Sequence, residues 1–97
     1  MQQLSAPLAR KLDGPLAELC DGGRGISPSE RVPVLVRYHS EAMLRVQAAV
    51  VALGGTVRRN IKLFSIIAAW VPLASIERLA NDDGVSLIEL EQNFTIA

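Results

Sequence analysis

With 97 residues, a formal charge of zero and 49% apolar side chains, the chain is one domain long and apolar enough to pack a core without metals or crosslinks. Ten acidic side chains balance ten basic ones, which removes the net basic footprint of a nucleic-acid binder. Arg58, Arg59 and Lys62 cluster locally, and a solvated strand face accounts for them. Cys20 is the single cysteine, so no intramolecular disulfide is possible and a free thiol fits a reducing compartment. Pro7, Arg10, Lys11 and Asp13 break up any apolar run of the secretory kind, and no stretch is long enough to span a bilayer. The expectation is a cytoplasmic protein that binds neither membrane nor nucleic acid.

In chain order, residues 1–31 form an N-terminal extension rich in breakers, partly helical or flexible. Leu4, Leu8, Leu12, Leu16 and Leu19 recur at helical spacing, which predicts short helical pieces with one apolar face. Gly14-Pro15 is expected to split or end that helix. Asp21 to Glu30 reads as a linker, and the extension as an arm that packs loosely on the surface. Val32 to Tyr38 then reads as a buried strand. Ser40 can cap a helix with Glu41 in its first turn. Met43, Val46, Val50 and Leu53 supply that helix with an apolar stripe, and Gly54-Gly55 ends it.

The next run alternates. Val57, Ile61 and Leu63 are predicted on one face, with Thr56, Arg58, Asn60 and Lys62 on the other. Phe64-Ser65 turns into a third strand, Ile66 to Val71, which Pro72 stops. Leu73, Ile76, Leu79 and Ala80 make a short amphipathic helix, Asn81 to Gly84 a turn, and Val85 to Leu90 the last strand. The order βαββαβ predicts an α+β, ferredoxin-like sandwich over residues 32–91: a four-stranded antiparallel sheet with two helices on one face. Residues 92–97 remain as an extended tail.

The face of that sheet away from the helices should be polar, and here it is not. With Ile67, Ala69 and Val71 inward, the third strand turns Ile66, Ala68 and Trp70 outward. In the last strand, Ile88 and Leu90 inward leave Leu87, Glu89 and Glu91 outside. An apolar patch edged by two carboxylates fits a partner surface. Cover by the N-terminal arm, a homodimer contact, or a one-residue slip that would bury Trp70 each account for it as well.

Catalysis finds no support. His39, the one histidine, sits at a strand end without a second His or Cys to build a metal or nucleophilic site. Glu89 and Glu91 share a strand face without an enclosing pocket. Gly22-Gly23-Arg24-Gly25 lacks the Lys-Ser/Thr of a phosphate loop. The chain is expected not to be an enzyme, with no catalytic residue, metal or cofactor.

Val34-Leu35-Val36-Arg37-Tyr38, the helix running into Gly54-Gly55-Thr56-Val57, and Ile67-Ala68-Ala69-Trp70-Val71 carry a resemblance, as do Leu79 to Val85 and Ile88-Glu89-Leu90-Glu91. From Val32 to Ala97 the chain resembles the subtilisin propeptide family, which includes free-standing protease inhibitors. The resemblance implies an inhibitor, or a chaperone-like folding partner, of a subtilisin-like serine protease, a monomer when free and 1:1 in the complex.

It further implies that the open sheet face presses on two parallel protease helices through Ile66, Ala68, Trp70 and Leu87. Glu89 and Glu91 would cap the N-termini of those helices. The tail, with Phe94, Thr95, Ile96 and Ala97, would lie extended in the active-site cleft. Ala97 would sit on the acyl side of a cut and Phe94 in the pocket four residues back. The missing leader and the extra N-terminal arm depart from the secreted members and favour a free-standing cytoplasmic protein, with a processed, secreted prosegment as the other case. A reading of a different class is a ferredoxin-like regulatory domain that binds a small ligand as a homodimer through Trp70.

Overall fold

The computed structural model describes residues 11–22 and 25–91; the sequence readings for Leu4, Leu8 and the 92–97 tail lie outside them. The strands are β1 (Arg31–Tyr38), β2 (Thr56–Ile61), β3 (Ile66–Pro72) and β4 (Val85–Leu90), and the helices α1 (Gly14–Cys20), α2 (Met43–Ala52) and α3 (Ile76–Ala80). The sheet is antiparallel throughout, in the order β2-β3-β1-β4. That is the ferredoxin-like α+β fold expected from the order of elements.

β1 and β3 occupy the centre, and their period-two alternation divides the molecule. Val32, Val34, Val36 and Tyr38 of β1, with Ile67, Ala69 and Val71 of β3, point into the core with no more than 5% exposure. They meet Val46 and Val50 of α2 and Ile76, Leu79 and Ala80 of α3. Buried β-branched side chains on a pleated surface suit both the strand geometry and the packing. The Tyr38 hydroxyl donates to Asn60 Oδ1 at 2.8 Å, and Asn60 Nδ2 donates to Gln47 Oε1 at 3.2 Å. The phenol therefore keeps a partner although its ring is buried.

The end of α2 forms a complete C-terminal cap. Gly54, at φ +89°, donates its N–H to Val51, and Gly55 donates to Val50, the two reversed bonds of a Schellman motif. A Cβ on Gly55 would lie 2.8 Å from Val50 Cγ1 and 2.9 Å from the Trp70 carbonyl, so the turn into β2 is tight as well as left-handed.

Three local features differ from the sequence reading. Ser40 does not cap α2: Ser40–Ala42 forms a 3₁₀ turn ahead of the helix, and the Ser40 hydroxyl donates to Glu41. In β2 a bulge between Val57 and Arg59 breaks the alternation. Val57 and Asn60 therefore face the helices while Arg59 and Ile61 face out, because one extra residue inverts the parity downstream. Leu63 leaves the strand altogether, in the 3₁₀ turn Lys62–Phe64.

The N-terminal segment is the largest difference. Gly14-Pro15 interrupts the helical run, as expected, and at the same point starts α1. Asp13 is the N-cap, its Oδ1 accepting from Leu16 N–H at 2.9 Å, and Pro15 sits in the first turn, where its missing N–H costs nothing. Leu12, Leu16 and Leu19 are buried within the main core, and α1 packs on β4 and on the 3₁₀ turn Leu73–Ser75.

Lys11 to Asp13 also line the outer edge of β4. Ile88 N–H donates to the Lys11 carbonyl, Asp13 N–H to the Ile88 carbonyl, and Leu90 N–H to Asp13 Oδ2. One carboxylate thus caps a helix and seals a strand edge. The Cys20 thiol, on α1, has its pKa pushed up to about 11 by burial first, then by the carboxylates of Glu77 and Asp21.

Two measurements follow. Leu16→Ala should destabilise the domain by about 2–5 kcal/mol, read as a lower urea midpoint at constant slope. Because the folded thiol titrates above its ordinary pKa of 9.0, its contribution to stability is full below pH 9 and is lost as pH rises toward 11. Alkylation of Cys20 in the folded protein should correspondingly keep accelerating past pH 9, whereas urea-unfolded protein should level off near its ordinary pKa.

Candidate functional site: the open face of the sheet

Strand pairing arranges the outward side chains in three rows. The first, running from β2 to β4, reads Ile61, Ile66, Arg37 and Leu87; the second reads Arg59, Ala68, Leu35 and Glu89. The third brings Thr56, Trp70 and Pro33 together, and Glu91 joins it by donating its N–H to the Pro33 carbonyl at 3.0 Å. Ile66, Ala68, Trp70, Leu87, Glu89 and Glu91 accordingly share one face, in the register that the alternation of β3 and β4 predicted.

The face is less open than alternation alone suggests. Trp70 is 38% exposed, whereas Ile66 and Ala68 are 9% and 7% exposed. Both lie on a central strand flanked by neighbours, and charged side chains bridge across the same face. Arg37 Nε donates to Glu89 Oε1 at 2.6 Å along the β1–β4 pair. Arg58 rises from the β2 bulge, stands 5.8 Å from the Trp70 ring centroid, and reaches Glu91 Oε2 at 2.9 Å.

Beneath that bridge is a shallow hollow of about 230 Å³, lined by Leu35, Arg58, Arg59, Ile61, Ala68 and Glu91. Arg31 donates to the Thr56 hydroxyl at the far corner. The acids gather along β4 and the free basic side of the face along β2, so the surface has an electrical direction as well as an apolar floor.

Sequence reasoning missed Arg58, which it assigned to a solvated strand face. The bulge that aims it across the sheet leaves no turn residue or glycine to reveal it. His39 is exposed beyond the end of β1 and joins no site. Among the described residues no group of three or more His, Cys, Asp or Glu side chains could hold a metal, and no helix is long and apolar enough to cross a membrane.

Residues 25–91 match the family model described as Putative peptidase inhibitor domain. The match covers β1 through β4 together with the whole open face, and the chain belongs to this family. Membership supports a peptidase-inhibitor role and implies a peptidase as partner. No curated protein matches the chain.

Trp70 is the only tryptophan, so the Arg58 crossing can be read directly. Arg58→Ala should raise acrylamide quenching of Trp70 fluorescence while lowering stability by less than about 1 kcal/mol, because exposed ion pairs and cation–π contacts are individually weak.

Proposed function

We propose that this peptidase inhibitor acts on a subtilisin-like serine protease, docking by the open sheet face and laying its C-terminal tail in the active-site cleft. The observation that carries the reading is an apolar floor ending in two carboxylates, Glu89 on β4 and Glu91 just past its end, ahead of the tail. Carboxylates at that position suit the N-termini of helices, whose free N–H groups and positive dipole end attract an anion.

In the free protein both acids are held by arginines at 29% and 31% side-chain exposure. An exposed ion pair contributes about 0–1 kcal/mol, and a carboxylate at a helix N-terminus about 0.3–1 kcal/mol, up to about 2 where partly buried. Exchanging one for the other costs little. The acids therefore set orientation and register on the protease more than they set affinity.

Ala68 lies in the hollow that Arg58 and Glu91 line, Ile66 stands in the next row toward the β2–β3 hairpin, and Trp70 and Leu87 flank them. Beyond Glu91, the segment Phe94, Thr95, Ile96 and Ala97 supplies an extended strand for the cleft, held by backbone pairing with side chains in alternate pockets.

The test is titration of a subtilisin-type protease with the full chain, a chain lacking residues 94–97, and Glu89→Gln/Glu91→Gln. The full chain should inhibit tightly. Loss of the tail should abolish active-site blockade while leaving weaker binding. The double glutamine variant should raise Ki only a few-fold, because each lost helix cap is largely offset by an ion pair that no longer has to be broken. Inhibition that survives both changes undiminished would remove this mode of action.

A further inference from the structure

We propose that Leu63 and Phe64, at the tip of the hairpin joining β2 to β3, form a second apolar anchor for the peptidase. They lie at the end of the open face opposite the exit of the tail. The inference rests on the sheet-face docking proposed above and adds a contact to it.

Leu63 is 85% exposed and Phe64 65%, and neither packs on the core cluster. Two adjacent large apolar side chains held in water contribute nothing to the packing of this fold. They also continue the first row of the face, since Ile61 and Ile66 are the residues from which the hairpin leaves and returns.

The tip is preorganised. Lys62–Phe64 forms a 3₁₀ turn, Ser65 donates its N–H to the Lys62 carbonyl at 3.2 Å, and the Ser65 carbonyl accepts from Tyr38 N–H at 2.9 Å. Ser65 is the one non-glycine residue at positive φ, +55°, among the described residues. A left-handed backbone at such a residue costs about 1–2 kcal/mol, and strain of this kind concentrates where a side chain must be aimed. A tip already fixed loses little freedom on binding, so its apolar burial counts nearly in full.

The family supplies the occupant, a peptidase. A partner seated on the rows of the face meets the tip as it crosses the β2–β3 end. Leu44 and Val51, at 73% and 59% exposure, stand on α2, on the opposite side of the sheet, where the same partner does not reach. They make an internal control of equal chemistry.

The experiment compares Leu63→Ala/Phe64→Ala with Leu44→Ala/Val51→Ala in the full chain, each checked for an unchanged urea midpoint, against a subtilisin-type protease. Loss of a buried apolar anchor should raise Ki about tenfold or more for the tip pair and leave it unchanged for the helix pair. A wild-type chain that inhibits, with a tip variant that inhibits equally well, overturns the anchor and leaves sheet-face docking intact. A wild-type chain that inhibits no such protease removes both. Sedimentation supplies a further arm: a dimer of the wild-type chain that the tip substitutions dissolve would assign Leu63 and Phe64 to a second copy and overturn the inference.

Discussion

A sheet covered by helices on one side only must send half of its side chains the other way, and everything distinctive about this molecule follows from how that half is filled. In β1 and β3 the inward set is almost entirely Val, Ile and Ala, as a close-packed core requires. The outward set of the same strands is Pro33, Leu35 and Arg37, and Ile66, Ala68 and Trp70. A strand apolar on both faces normally lies between two layers. Among the described residues no second layer covers this face, and in the mode of action proposed above the peptidase supplies it.

In the free protein, charged side chains bridge across this face. Arg58 and Arg37 pair across it with Glu91 and Glu89, Arg58 beside Ala68 and Trp70. Long side chains of this kind can shield hydrocarbon with their stems while the charged ends stay in water. Such cover is inexpensive to remove, because each bridge is weak and half-exposed. An apolar face protected by apolar groups would have to break them apart before binding. One crossed by arginine side chains needs only rotamer changes to receive a partner in the mode proposed above.

How far the sequence displayed this depended on local regularity. β3 is flanked by a turn and a proline and keeps strict alternation, so its outward residues could be read directly. β4 carried its acids in the expected register. β2 could not be read, because a bulge depends on how the strand sits against its neighbour, and nothing in Thr56 to Ile61 marks where an unpaired residue falls. The first helix was hidden for another reason. Gly14-Pro15 is a breaker inside a helix and a starter at its beginning, and only the pairing of Asp13 with both Leu16 and Leu90 shows which applies. Leu12, Leu16 and Leu19 had the correct spacing, but their depth depends on β4 and the Leu73–Ser75 turn, far along the chain.

The seal along β4 has a consequence for how the chain can be divided. The family match begins at residue 25, downstream of α1 and of the Lys11–Asp13 edge. A fragment cut at that boundary would keep the whole open face, yet lose three buried leucines and uncover the N–H groups of Ile88 and Leu90. A bare outer strand of this kind is a template on which another chain can pair, and the same cut would leave the adjoining hydrocarbon wet. Aggregation of a trimmed domain would then report the missing hem of the sheet rather than any flaw in the inhibitor itself.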